Sequence, residues 1–114
     1  MWLDLNRTLV VHRNHDTWQM PVSDRNGAYL GNVIAQIVEP DACMVRYFLL
    51  YNSVSDRQIL LPSDSVESID QVIHCSIDAS SVAKIPDYDQ SLERSAEIMI
   101  HQLLAHTPYW EDQL

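Results

Sequence analysis

The chemistry open to this 114-residue chain rests on five histidines, His12, His15, His74, His101 and His106, on two cysteines, Cys43 and Cys75, and on its carboxylates. A metal site needs ligands that converge on one point. His12 and His15 fall on opposite sides of a continuing strand, and His101 and His106, five apart on a helix, stand about 140° round from each other. The histidines therefore read as solvated or hydrogen-bonded side chains, and no metal is expected. No serine sits in a G-x-S-x-G elbow, and local sequence brings no histidine to either cysteine. Asp87 and Asp89 read as turn and cap residues rather than an acid–base pair. There is no glycine-rich phosphate loop and no dinucleotide fingerprint. The expectation is a protein without catalytic residues or cofactor, not an enzyme.

Elements that would position these groups follow from periodicity and turn chemistry. The two glycines lie within Gly27-Ala28-Tyr29-Leu30-Gly31, just after Ser23-Asp24-Arg25-Asn26. Asn26-Gly27 is a strong hairpin signal because both residue types tolerate positive φ. Before it, Trp18, Met20 and Val22 alternate with polar residues or proline, as on one face of a strand, and Pro21 marks an edge or unpaired position. Tyr29 to Val38 reads as the second strand, with a reversal at Glu39-Pro40-Asp41-Ala42. Met44 to Tyr51 lacks clean alternation, as expected of a strand covered on both faces. In it Val45, Tyr47, Leu49 and Tyr51 share one face, and Met44, Arg46, Phe48 and Leu50 the other, with Arg46 outward. Asn52 to Asp56 turns the chain, Gln58 to Leu61 is a short strand broken by Pro62-Ser63-Asp64-Ser65, and Val72 to Ile77 is another. Thr8 to His12 adds one more, whereas Trp2 to Leu5 is too short to assign. From Asp89, the plausible N-cap, Leu92, Ala96, Met99, Ile100 and Leu103 recur at helical spacing, with Glu93, Glu97 and His101 on other faces, until Pro108 stops the helix.

Several short strands with tight turns, followed by one helix, describe a mostly β protein: a small antiparallel barrel with one C-terminal amphipathic α-helix. At this length residues 1–114 make a single domain with one core. No stretch is long and apolar enough to span a bilayer, and the start lacks the features of a signal peptide, so a cytoplasmic protein without membrane insertion is expected. The net charge of −9 is spread from Asp4 to Asp112, and the seven basic residues, Arg7, Arg13, Arg25, Arg46, Arg57, Lys84 and Arg94, are nowhere adjacent. A nucleic-acid binder gathers its cations on one face, so nucleic acid is not an expected partner. The cysteines lie far apart without C-x-x-C and read as reduced, partly buried small hydrophobes.

The stretch Asp24-Arg25-Asn26-Gly27-Ala28-Tyr29-Leu30-Gly31-Asn32-Val33 resembles the opening hairpin of PRC-barrel domains, where an Asp, a Gly, an aliphatic-Gly pair and a Val recur at this spacing. The run Val45 to Tyr51, the Leu61-Pro62 break before Val66, and Ile85-Pro86 follow in the same order, so the resemblance covers residues 15–88. It leaves out an extension of residues 1–14, which carries the extra strand, and the helix and tail of residues 89–114. The family includes the cytoplasmic domain of the photosynthetic reaction-centre H subunit and the C-terminal barrel of a ribosome-maturation factor. It implies a module that docks other macromolecules, and it carries over no catalytic residue.

Asp24, Asn26, Gly27 and Gly31 are thus expected to be structural, Gly27 by taking positive φ and Gly31 by letting a neighbour approach where the strand bends. For partner binding the candidates are Phe48 and Leu50, left outside the barrel unless the C-terminal helix covers them, and Tyr109 and Trp110, which with Trp2 and Trp18 either pack on the barrel or anchor a partner. The expected partner is another protein or a second copy of the chain. The alternatives are a small-ligand or regulatory sensor using the barrel interior, and an accessory factor acting on a ribosomal protein.

Overall fold

The structure, a computed structural model, describes residues 9–12, 17–39, 44–88 and 94–104. Reversal at Gly27 joins β2 (Pro21–Ser23) to β3 (Tyr29–Glu39). Gly27 takes φ +86°, while Asn26 keeps a negative φ, so one residue rather than two carries the left-handed step. The longest strand, β3, pairs on one edge with β4 (Met44–Asn52). Along its other edge it takes β2 and, farther on, β1 (Leu9–His12). At the turn after β4, the Asn52 side chain accepts from the Val54 and Ser55 N–H groups at 2.9 and 3.2 Å, and Asp56 takes φ +55°. β5 (Arg57–Pro62) follows, then a single 3-10 turn over 63–65, β6 (Val66–Ile69), β7 (Ile73–Cys75), a one-turn helix α1 (Ala79–Val82), and α2 (Arg94–Leu103).

Strand order is β5-β4-β3-β2-β7-β6 with β1 beside β3, and the sheet is not closed into a barrel. Nor is it wholly antiparallel, because β2 and β7 run parallel through Val22↔Ile73 and Ser23↔His74. The physical reason lies in the corner at 63–65. Counting senses along the ladders, β5 and β6 point the same way, so the chain passes from one edge strand directly into the other and lays no ladder between them. Part of the β5 edge is taken instead by Tyr88, whose N–H donates to the Gln58 carbonyl at 2.8 Å.

Both faces of β4 are buried, and their covers are the reverse of the expectation. Phe48 and Leu50 pair with Leu61 and Ile59 on one side and Gln36 and Val33 on the other, and the row continues through Gly31 to Val22 and Ile73. Arg57 shares that face and donates to the Ala83 carbonyl at 3.2 Å and to the Ile85 carbonyl, which draws residues 83–87 against it. α2 lies instead over Tyr47, on the opposite face. Arg46 is not outward. It occupies a bulge between Tyr47 and Val45, is 6% exposed, and pairs with Glu39 at 2.8 Å. A charge can be buried there because its partner is buried with it.

Further corrections concern element limits. Trp18 stands in a turn with Gln19 at φ +69°, not in β2, and the strands at β5 and β7 are Arg57–Pro62 and Ile73–Cys75. β6 and α1 have no counterpart among the elements expected from periodicity. Asp89, Leu92, Glu93, Pro108, the Pro40 turn, Trp2, Tyr109, Trp110, Cys43, His15 and His106 lie outside the described residues. Within α2 the buried face is Glu97, Ile100 and His101, with Leu104 just beyond the helix, whereas Met99 is 47% exposed.

Candidate functional site: a groove across four strands

Where α2 does not reach, the register aligns one side chain from each of four strands: Tyr29 on β3, Ser23 on β2, His74 on β7 and Ser68 on β6. Val22 and Ile73, the neighbours of Ser23 and His74, are buried on the other face, so alternation leaves this row on the outer side. Tyr29, Ser23 and His74 line an open groove of about 510 Å³, whose other walls are Pro21, Arg25, Val72 and, from β6, Glu67 rather than Ser68. Tyr29 is 44% exposed, and its hydroxyl donates to the Asn32 side-chain carbonyl, which fixes the ring at the groove mouth.

A polar chain crosses the floor. Ser23 Oγ lies 3.2 Å from His74 Nδ1, and His74 Nε2 lies 3.3 Å from Asp70 Oδ2. Asp70 also accepts from the Val72 N–H at 2.8 Å, and that bond, with His74 behind it, holds the Asp70 carboxyl below the usual carboxylate range. The participants are those of a serine hydrolase, but the setting is not. Asp70 is 68% exposed, so its pull on His74 is screened. Ser23 sits within a strand paired on both sides, so nearby N–H groups serve the ladders instead of facing the hydroxyl as oxyanion donors.

One end of the groove is built by Asp24. Its carboxylate accepts from the N–H groups of Asn26 (2.8 Å), Ala28 (2.7 Å) and Ala79 (2.8 Å), tying the hairpin to the start of α1. Burial alone would raise its pKa, and these three bonds outweigh it, so the carboxyl sits below its ordinary value. Arg25, beside it, reaches Asp78 at 3.2 Å, and Asp78 caps α1 by accepting from the Ser80 N–H at 2.9 Å. Gly31 abuts β4: a Cβ there would stand 2.9 Å from the Tyr51 carbonyl oxygen. Asp24, Gly27 and Gly31 are thus accounted for by backbone geometry, and Asn26 is an exposed turn residue.

Cys75 borders the groove as a free, buried thiol, pushed up to about 11 chiefly by burial. It is a poor nucleophile at neutral pH. A second polar cluster lies under α2, where the buried Tyr47 hydroxyl donates to Glu97 Oε1 at 2.7 Å and lies 3.3 Å from His101 Nε2. Neither the groove nor the cleft beside Asp78 reaches this cluster. Of the residues singled out for partner binding, Phe48 and Leu50 are 5% and 0% exposed, covered by the chain's own core. The groove residues were missed because the parallel β2–β7 pairing that aligns them joins segments about fifty residues apart, as the Ser23–His74 separation of 51 records. The one signal in the sequence was that Ser23 and His74 each follow a buried apolar position.

Among the described residues no group of three or more His, Cys, Asp or Glu side chains is placed to hold a metal, and no helix is long and apolar enough to cross a membrane. Compared with known proteins, the chain matches no family model and no curated protein.

Proposed function

We propose that this chain is a non-catalytic binding module of PRC-barrel type that engages another protein, and that the groove over Tyr29, Ser23, His74 and Glu67 is its contact surface. The observation that carries the reading is the groove itself: an aromatic ring held at the mouth of an open cleft, on the part of the sheet that α2 leaves uncovered. Aromatics so placed anchor protein contacts. The resemblance of Asp24 to Val33 to PRC-barrel hairpins points the same way, since what those domains share is docking. A sensor using the sheet's inner face is disfavoured, because Leu50, Leu61, Val33 and Ile73 fill that face completely. Direct RNA binding is disfavoured by the net charge of −9.

The test is site-specific photo-crosslinking in the source cell, with the crosslinker at position 29 and, as control, at position 54, where Val54 is 88% exposed in the β4–β5 turn. A discrete protein adduct at 29 and none at 54 supports the reading. Equal adducts at both positions refute it. A hydrolase, the competing reading of the Ser23–His74–Asp70 chain, predicts labelling of Ser23 by a fluorophosphonate, with loss of labelling in His74→Ala. A binding module predicts none.

A further inference from the structure

The groove ends at β6, the last strand of the sheet, which among the described residues pairs with β7 alone. Val66 turns its N–H back to the Ser63 carbonyl; beyond that, among the described residues, nothing bonds the outer edge of β6. Glu67, Ser68 and Ile69 are all exposed, Ile69 to 52% although its cross-strand partner Ile73 is wholly buried. A bare edge with an apolar side chain is a template for another strand. Edges are commonly blunted by lysine or proline; this one carries neither, and is guarded instead by its four-residue length, the bulge between Val66 and Ser68, and acids, Glu67 within it and Asp64 and Asp70 beside it, all three exposed. Of these, Asp70 is engaged by His74.

That charge pattern selects the occupant. A second copy would set the same acids against themselves, in a molecule already at −9, and like charges facing each other across strands are destabilising. We infer that β6 takes up an extended, basic segment of a partner protein in which lysine or arginine alternates with apolar residues, added as a further strand of the sheet. Backbone bonds to β6 supply affinity, the basic side chains meet Glu67 and Asp64, and an apolar residue covers Ile69. Because a strand advances about 3.3 Å per residue, a segment of four to six residues matches the edge. The inference rests on the proposal that the chain binds proteins, and it names the partner's chemistry.

The experiment uses the full chain, isotopically labelled, titrated with a synthetic octapeptide of alternating lysine and valine while amide shifts are recorded. Two comparison peptides replace lysine by glutamate or valine by proline. The expected result is saturable shifts at Glu67, Ser68 and Ile69 with the lysine–valine peptide only. Affinity should fall roughly fivefold or more in Glu67→Lys, and less in Glu67→Gln, with the rest of the spectrum unchanged. Equal binding of the lysine–proline peptide would mean charge attraction without strand pairing and would overturn the inference. So would β6 shifts that depend on protein concentration without peptide, which assign the edge to self-pairing. Shifts confined to Tyr29, Ser23 and His74 would overturn it while leaving the groove as the contact surface. An adduct at position 29 in the cell with no peptide shift anywhere would do the same.

Discussion

Replacing Gly31 by alanine separates two demands that a glycine can meet. Its φ of +147° is a conformation L side chains rarely adopt, which costs on the order of 1–3 kcal/mol. A Cβ would also stand 2.9 Å from the Tyr51 carbonyl oxygen and 3.1 Å from its carbon, both backbone atoms that move only if β3 and β4 part, and forcing extra volume into such a contact costs about 1–3 kcal/mol more. Gly27, at φ +86°, has nothing within 4 Å of where a Cβ would stand, so Gly27→Ala carries only the conformational penalty of about 1 kcal/mol. The expected ordering is Gly31→Ala at about 4 kcal/mol and Gly27→Ala at about 1, against a total stability on the order of 5–15 kcal/mol. Urea unfolding followed by tryptophan fluorescence measures it. With a slope of about 1.5 kcal/mol per molar, the midpoints fall by more than 2 M and by less than 1 M respectively. Val54→Ala is the neutral control. Asn32 is not, since its amide donates to the Gln19 carbonyl at 2.9 Å. Equal midpoints for the two glycine variants would refute the reasoning, because the close approach to Tyr51 would then cost nothing.

Tyr47→Phe withdraws a donor from the buried Glu97 carboxyl and should destabilise by about 1–3 kcal/mol, read from denaturant midpoints, whereas Tyr51→Phe, whose hydroxyl meets exposed Asp56, should change little. Asp24→Asn should flatten the acid limb of the stability curve: a carboxyl held below its unfolded value contributes stability above that value and loses it as pH falls through the folded one, so wild type and variant should converge in thermal melts as pH drops below the ordinary carboxylate range. In a Cys43→Ser background, Cys75 should react with a thiol reagent at pH 8 only in denaturant, and stability should fall between pH 9 and 11, where the unfolded thiol has lost its proton and the folded one, at about 11, has not; fast native labelling would contradict its burial. A gel shift at low salt should show no retardation of nucleic acid at micromolar protein, given the net charge of −9.

The hairpin from Ser23 to Tyr29 was legible because its signals are local: a turn glycine, an aspartate that accepts from its own neighbours' N–H groups, and apolar residues at period two. What was not legible depends on pairing across the chain. Arg46 reads as outward by alternation, and only the bulge that brings it to Glu39 reverses that. β6 escaped because Val66-Glu67-Ser68-Ile69 is only four residues long, with a bulge that breaks its alternation and only Val66 packed on the core. Expecting a closed barrel assumed that the last strands return beside β5. The 63–65 corner instead carries the chain onward, leaving the edge on which the groove ends.

The same limit explains the helix, and there the consequence is physical rather than diagnostic. An apolar stripe of Ala96, Met99, Ile100 and Leu103 would dock α2 with Met99 inward. The observed buried face, centred on Glu97, Ile100, His101 and Leu104, is turned from it by about 100°, one residue's rotation. Side-chain hydrophobicity alone favours the first orientation, so something specific holds the second, and the Tyr47 hydroxyl between Glu97 and His101 is the interaction in place to do it. Burying a carboxyl and an imidazole is costly unless each is bonded, and those bonds form at one rotation of the helix only, so the cluster yields little net stability but fixes the angle. Its by-product is the exposure of Met99 on the outer side of α2, an apolar side chain that an all-hydrophobic interface would have drawn in, whereas Ile98 faces outward in either orientation.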